Sequence, residues 1–226
     1  MTEVKPRKKL TIHKKLLIIT LSITSMITII ALFAYSRYLH PTGEIKPGIY
    51  AVKTGGNGAP LVNFFLMSVD DGYIAFDSGV NNARTKNELQ KLNISADEVV
   101  AVFITHGDHD HIGSLNLFNN AIIYTGPIEL SDYSHEILSD GDVIDTYGVS
   151  IQILYTPGHT SGCAIYLVDG KFIFAGDLFI NPNKARYDAE LQKSNIEKAL
   201  GINDVEYIFT GHFGLFKDIR MFRWLF

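Results

Sequence analysis

A single cysteine, Cys163, in 226 residues excludes an internal disulfide framework and any thiolate-rich metal site. Its setting, Ser161-Gly162-Cys163-Ala164-Ile165 at the entry to an apolar strand, reads as a small buried thiol and not a nucleophile. Positive charge is scarce as well. Residues 1–40 hold seven Lys and Arg against Glu3, a net of +6, so the formal charge of −4 leaves −10 for the rest of the chain. That acidity argues against a nucleic-acid platform, which depends on Lys and Arg facing phosphates, and no nucleic-acid partner is expected. Low-complexity stretches and short-period repeats are lacking too. With 46% hydrophobic residues, the chain suits one packed domain plus an appendage.

Between Leu16 and Tyr35 charge is absent altogether: LLIITLSITSMITIIALFAY. Twenty helical residues reach about 30 Å, the thickness of the hydrocarbon core of a bilayer. The basic residues 1–15 flank the run on one side, which by the positive-inside rule predicts a cytoplasmic N-terminus, a membrane helix over 16–35 and an extracytoplasmic domain. A cleaved signal peptide with a secreted domain is the alternative. The run is long for that, and Leu32 stands where a small residue belongs. Residues 36–44 are expected to be a linker, with the folded domain over 45–226.

Within 45–226 the pattern predicts strands over 48–52, 61–67, 73–76, 99–104, 121–124, 149–155, 163–168, 172–175 and 205–210. Helices are expected over 84–93, 112–118 and 188–200, and 127–138 is ambiguous. Val99 to Ile104 is a continuous β-branched and aromatic run, suited to a strand buried on both faces. It delivers Thr105-His106-Gly107-Asp108-His109-Asp110-His111, three histidines and two aspartates in seven residues. A shared cation is the economical reason to gather such groups. Three further apolar strands end alike: one in Gly158-His159, one in Gly176-Asp177 and one in Gly211-His212. A strand end holds a ligand stiffly, and an adjacent glycine lets backbone approach closely.

In these motifs the chain resembles the metallo-β-lactamase superfamily, whose His-x-His-x-Asp-His signature followed by His, Asp and His on successive strand ends lines up across residues 45–213. The resemblance implies an α/β fold, an αββα sandwich here preceded by a transmembrane helix, with a two-metal site on the sheet edge. It assigns His106 and His159 to a first metal and Asp110, His111 and His212 to a second, with Asp177 as the bridge. Asp108 stands where the family usually has histidine. We take Asp108 as a ligand of the first metal and His109 as the variable residue beside it. Three carboxylates would then face two divalent ions, weakening the Lewis acid and making manganese or iron more competitive with zinc, the first expectation.

The chemistry so implied is metal-dependent hydrolysis of a small-molecule ester, thioester, lactone or phosphoester, in which a metal-bridging hydroxide attacks and Asp110 orients it or passes a proton. Lactamases proper, by the resemblance, carry cysteine or serine at the bridging position, so Asp177 argues for these substrates over antibiotics. No room is expected for the C-terminal substrate domain of glyoxalase II or the extra domain of RNA-processing relatives. A mononuclear iron oxidoreductase resembling persulfide dioxygenases is the alternative on the same fold. Asp77 reads equally as an orienter of the ligand loops or a turn cap; His13, His40 and His135 read as surface residues. Lys184 and Arg186 read as solvated loop cations, with an anion-holding role as the rival. The C-terminal LFKDIRMFRWLF puts Leu215, Ile219, Phe222 and Phe226 on one helical face, for core packing or a membrane surface.

Overall fold

The computed structural model describes residues 11–38, 40–56, 58–128 and 130–217. It divides into two compact units, residues 1–37 and 38–226. The first contains helix α1 (Ile12–Tyr38). Its threonine hydroxyls are satisfied within the helix: Thr20 donates to the carbonyl of Leu16 and Thr28 to that of Thr24, each at 2.9 Å. Side chains from Lys14 to Ile29 are exposed, and those beyond are outside the described set. Among the described residues no helix is long and apolar enough to cross a membrane.

The second unit is built from β1 (Gly43–Lys46), β2 (Ile49–Lys53), β3 (Asn63–Val69), β4 (Gly72–Phe76), α2 (Asn82–Lys91), β5 (Val99–Ile104), α3 (His109–Ile112), β6 (Ile122–Thr125), β7 (Glu136–Ile137), β8 (Val143–Thr146), β9 (Val149–Tyr155), β10 (Ala164–Val168), β11 (Phe172–Phe174), α4 (Ala189–Leu200), β12 (Tyr207–Thr210) and β13 (Gly214–Phe216). One sheet has the order β1-β2-β3-β4-β5-β6-β7 and the other β13-β12-β11-β10-β9-β8.

Alternation along each strand divides the apolar residues among three layers. Phe65, Phe76, Phe103, Tyr166, Phe174 and Phe209 meet between the sheets, where Phe76 stacks on Phe174 at 3.6 Å between ring centres. The opposite faces of the same strands do different work. Val102 and Ile104 of β5 pack with Leu89 of α2, and Ile165 and Ile173 pack with Ile196 and Ala199 of α4. Both sheets are thus buried on both faces, giving the four-layer αββα order. The double-sided burial of β5 agrees with its unbroken apolar sequence.

Local chemistry sets the boundaries. Asp169 and Gly170 both take positive φ (51° and 66°) in the three-residue connection 169–171 between β10 and β11, which the Lys171 N–H closes by donating to the carbonyl of Val168 at 2.9 Å. Asn81 and Asp188 cap α2 and α4, accepting from the backbone of Arg84 and Leu191. Three expectations shift. The linker is shorter than 36–44, because α1 runs to Tyr38 and Gly43 and Glu44 already pair with β2. The helix expected over 112–118 is absent: a single α-turn, His109–Ile112, lies before it, inside the ligand cluster, and a 3-10 turn covers Leu115–Leu117. Leu215 lies in strand β13 and not on a helical face; the rest of that C-terminal reading, 218–226, lies outside the described residues.

Candidate metal centre

Every expected site residue sits at one edge of the sandwich, where β4, β5, β9, β11 and β12 end. Asp77, at the end of β4, anchors the arrangement from below. Its backbone takes φ 66°, a left-handed conformation disfavoured for a residue with a side chain, while its N–H donates to the carbonyl of Phe103 at 2.9 Å. Its buried carboxylate accepts the Thr105 N–H at 2.8 Å and the Thr105 hydroxyl at 2.9 and 3.0 Å, and it faces His111 Nδ1 at 2.7 Å. The one hydroxyl proton of Thr105 is spent on Asp77, so its oxygen accepts from His106 Nδ1 at 3.0 Å. One carboxylate therefore fixes two imidazoles with Nε2 turned toward the open edge. Of the two readings of Asp77, the orienting one describes these contacts.

Two groups of donors converge there: His106, Asp108, His159 and Asp177, and beside them Asp110, His111 and His212. In the first group, His106 Nε2 lies 3.3 Å from Asp108 Oδ2 and 3.7 Å from Asp177 Oδ2, and His159 Nε2 lies 3.1 and 3.5 Å from the same atoms. In the second, His212 Nε2 lies 3.4 Å from Asp110 Oδ2 and 3.3 Å from Asp177 Oδ2, and His111 Nε2 lies 3.3 Å from Asp177 Oδ1. Asp177 thus turns one oxygen to His111 and the other to the first group and His212. Ligand atoms around a tetrahedral ion with bonds of about 2.0–2.1 Å stand about 3.3 Å apart, so the spacing fits a cation in each group.

Satisfaction of polar atoms says the same. The buried Nε2 atoms of His106 and His111 and the Oδ1 of Asp177 have no hydrogen-bond partner, and each aims into a group. Space is kept by glycine: a Cβ on Gly211 would come within 2.7 Å of His111 Cε1 and 3.1 Å of Asp177 Oδ1.

Charge is balanced differently across the centre. Burial and the neighbouring His111 push His106 below its ordinary value. Burial opposes charge on His111 too, but Asp177 and Asp77 outweigh it and raise that ring well above the usual range. Burial is likewise outweighed at His212, which Asp110 and Asp177 push up to about 10. Asp177 itself is buried, which favours its neutral form, yet His111, His212 and His106 hold it well below the carboxylate range.

Elements behind the edge hold the loops. The buried Gln192 of α4 donates to the carbonyls of Leu178 (2.9 Å) and Ile180 (3.2 Å), just past Asp177, and Asn195 donates to that of Pro157 (2.8 Å), just before His159. His212 Nδ1 meets the carbonyl of Leu61 at 2.5 Å. His109 is exposed and belongs to neither group. Cys163 is buried and its thiol is pushed up to about 11 by that burial, which agrees with an inert thiol. Arg186 corrects the expectation of a solvated cation: its guanidinium reaches into the centre and donates to both oxygens of Asp108. Nothing near position 186 in the sequence signals this, because the partner lies 78 residues away. Thr105, by contrast, adjoins His106 and was legible as a neighbour, though not as a relay.

The sequence profile of the metallo-beta-lactamase superfamily matches residues 57–137 and 126–212. The chain belongs to that superfamily. Hydroxyacylglutathione hydrolase of Aeromonas hydrophila is 27% identical over 141 residues, covering 58% of this superfamily member and 55% of the relative. Metallo-beta-lactamase domain-containing protein 1 of Xenopus laevis is 30% identical over 145 residues, covering 58% and 61%. The chain thus matches little more than half the length of these relatives. Among solved structures, a metallo-beta-lactamase family protein of Thermus thermophilus superposes with a TM-score of 0.67 at 17% identity, covering 80% of this superfamily member and 79% of the other chain. That likeness carries the fold.

Proposed function

We propose that the protein is a metal-dependent hydrolase of small-molecule esters, with thioesters first among them, and that the two donor groups hold two divalent ions bridged by Asp177. The observation that carries this reading is the convergence of His106, Asp108, His159, Asp177, Asp110, His111 and His212 at ion-sized spacing, with the buried Nε2 atoms of His106 and His111 unpartnered. The hydroxyacylglutathione hydrolases among the relatives support the thioester preference. Zinc is the first candidate; the oxygen-rich donor set keeps manganese and iron in play.

Divalent ions held there supply a Lewis acid toward an acyl or phosphoryl oxygen and activate water at neutral pH. The chain's own contribution is orientation and proton handling. Asp77 fixes His111 directly and His106 through Thr105, so neither ring rotates away from the edge. Asp110 is the catalytic carboxylate in this reading. It is only partly buried and lies beside His212, its Oδ2 3.4 Å from Nε2 of that ring, so it stands at the rim where it can accept a proton and return it to a leaving group. The test is a panel of acyl-glutathione thioesters, simple esters, lactones and phosphodiesters with metal-free and metal-reconstituted protein. Metal-dependent hydrolysis of at least one class, abolished in Asp177→Ala, is expected. A folded, metal-loaded protein inert toward all of them contradicts the proposal, and oxygen consumption with one iron per chain selects the oxidoreductase alternative.

The first unit is proposed as a membrane anchor with the hydrolase outside the cytoplasm. Support comes from the sequence: the charge-free run 16–35 and the basic residues 1–15 that flank it on one side. The full chain should remain with membranes after alkaline carbonate washing and a chain lacking 16–35 should not; release of the full chain removes the support.

A further inference from the structure

Asp108 differs from the other carboxylates of the centre in one respect. Arg186 Nη2 donates to its Oδ1 at 2.5 Å and also to its Oδ2, and lies 3.4 Å from His159 Nε2. Oδ2 is the atom that faces His106 and His159. The guanidinium thus sits on the oxygen that an ion in the first group would take, within reach of a second donor of that group. Among the described residues no lysine or arginine pairs with Asp110 or Asp177.

The loop carrying Arg186 is pinned. Its N–H donates to the carbonyl of His159 at 3.0 Å, and those of Tyr187 and Asp188 donate to that of Gly158 at 3.2 and 3.0 Å. Only the side chain, half exposed at 56%, is free to move. Arginine keeps its charge at every working pH, so an ion entering this half always meets a full positive charge on Asp108.

We propose that Arg186 is a built-in counter-cation that a divalent ion must displace to occupy the His106–Asp108–His159 half, so that the Asp110–His111–His212 half fills first. This rests on the reading of the centre as a metal site. Displacement leaves a tethered guanidinium at the rim, still near the ion that displaced it, and their repulsion persists. Arg186 is therefore a positioning residue for metal loading, acting through Asp108.

The test is zinc binding to the metal-free full chain by calorimetry with a competing chelator, in the wild type, Arg186→Gln and Arg186→Lys. Two sites of unequal affinity are expected in the wild type. Arg186→Gln should tighten the weaker site by about tenfold, the lower end of what groups contacting a ligand do to metal affinity, and leave the tighter site unchanged. Arg186→Lys, which keeps the charge and loses the fork, should fall between. If Arg186→Gln weakens that site or leaves it alone, Arg186 supports a bound ion or is irrelevant to it, and the proposal fails. No zinc binding by the wild type or either variant overturns the metal reading itself. Thermal melting of the metal-free variants, whose substitution lies on an exposed side chain, verifies the fold.

Discussion

The two halves of the centre share Asp177 and Asp77 yet are built to different standards. The Asp110–His111–His212 half has both imidazoles secured from behind, His111 by Asp77 and His212 by the carbonyl of Leu61. The His106–Asp108–His159 half has His106 secured through Thr105, while the buried Nδ1 of His159 has no partner. Their charge differs too. Raised imidazoles stand in for missing positive charge in the one, and Arg186 does so in the other. Similar donor spacing therefore does not mean similar sites: what lies behind and beside the donors decides how tightly each half holds an ion.

The largest effect should come from erasing what the halves share. Asp177→Ala removes an oxygen from each, and activity on the best substrate should fall by at least about 10³-fold, the scale of losing one preorganised electrostatic stabiliser, with bound metal falling in parallel. Retention of metal in both halves would break the comparison at its root.

Asp77→Asn probes the support. The direct contact to His111 makes the second half more sensitive, so its zinc affinity should weaken by about 10–100-fold, and that of the first half, reached through Thr105, by less. Competitive zinc titration reads both. Equal losses would mean that Asp77 acts only on the fold.

A smaller change is expected from Asp108→His, which removes the partner of Arg186 and restores the residue usual in the family. The gap between the two affinities should narrow by about tenfold in the same titration. The smallest effect concerns pH. His212 is raised to about 10 in the metal-free chain, so the stability it contributes is fully present below about pH 6.5 and is lost as pH rises through about 10. The metal-free wild type should therefore melt at a lower temperature at pH 10 than at pH 7, and His212→Asn should flatten that slope.

The donors were legible from sequence because each is fixed by something local: an apolar strand sets the position and a glycine or a dense cluster marks its end. That pattern singled out the stretch 105–111, His159, Asp177 and His212, while the resemblance to the superfamily implied the sandwich and the division of His106, Asp108, Asp110, His111, His159, Asp177 and His212 between two halves. The partners of the donors were not legible. Arg186 meets Asp108 across 78 residues, and the pairing depends on hydrogen bonds that seat its loop beside His159. The edge strands β1, β8 and β13 were missed for a related reason. They are half solvated and only three or four residues long, too short to show a strand's alternation or an apolar run.

The most direct test of the account is the metal content of the wild type, His159→Ala, His212→Ala and Asp177→Ala after equilibration with zinc and removal of loose ions. The account predicts two ions per chain in the wild type, one in each histidine variant and at most a trace in Asp177→Ala. A wild type without bound metal, or histidine variants that still hold as much as the wild type, would contradict it.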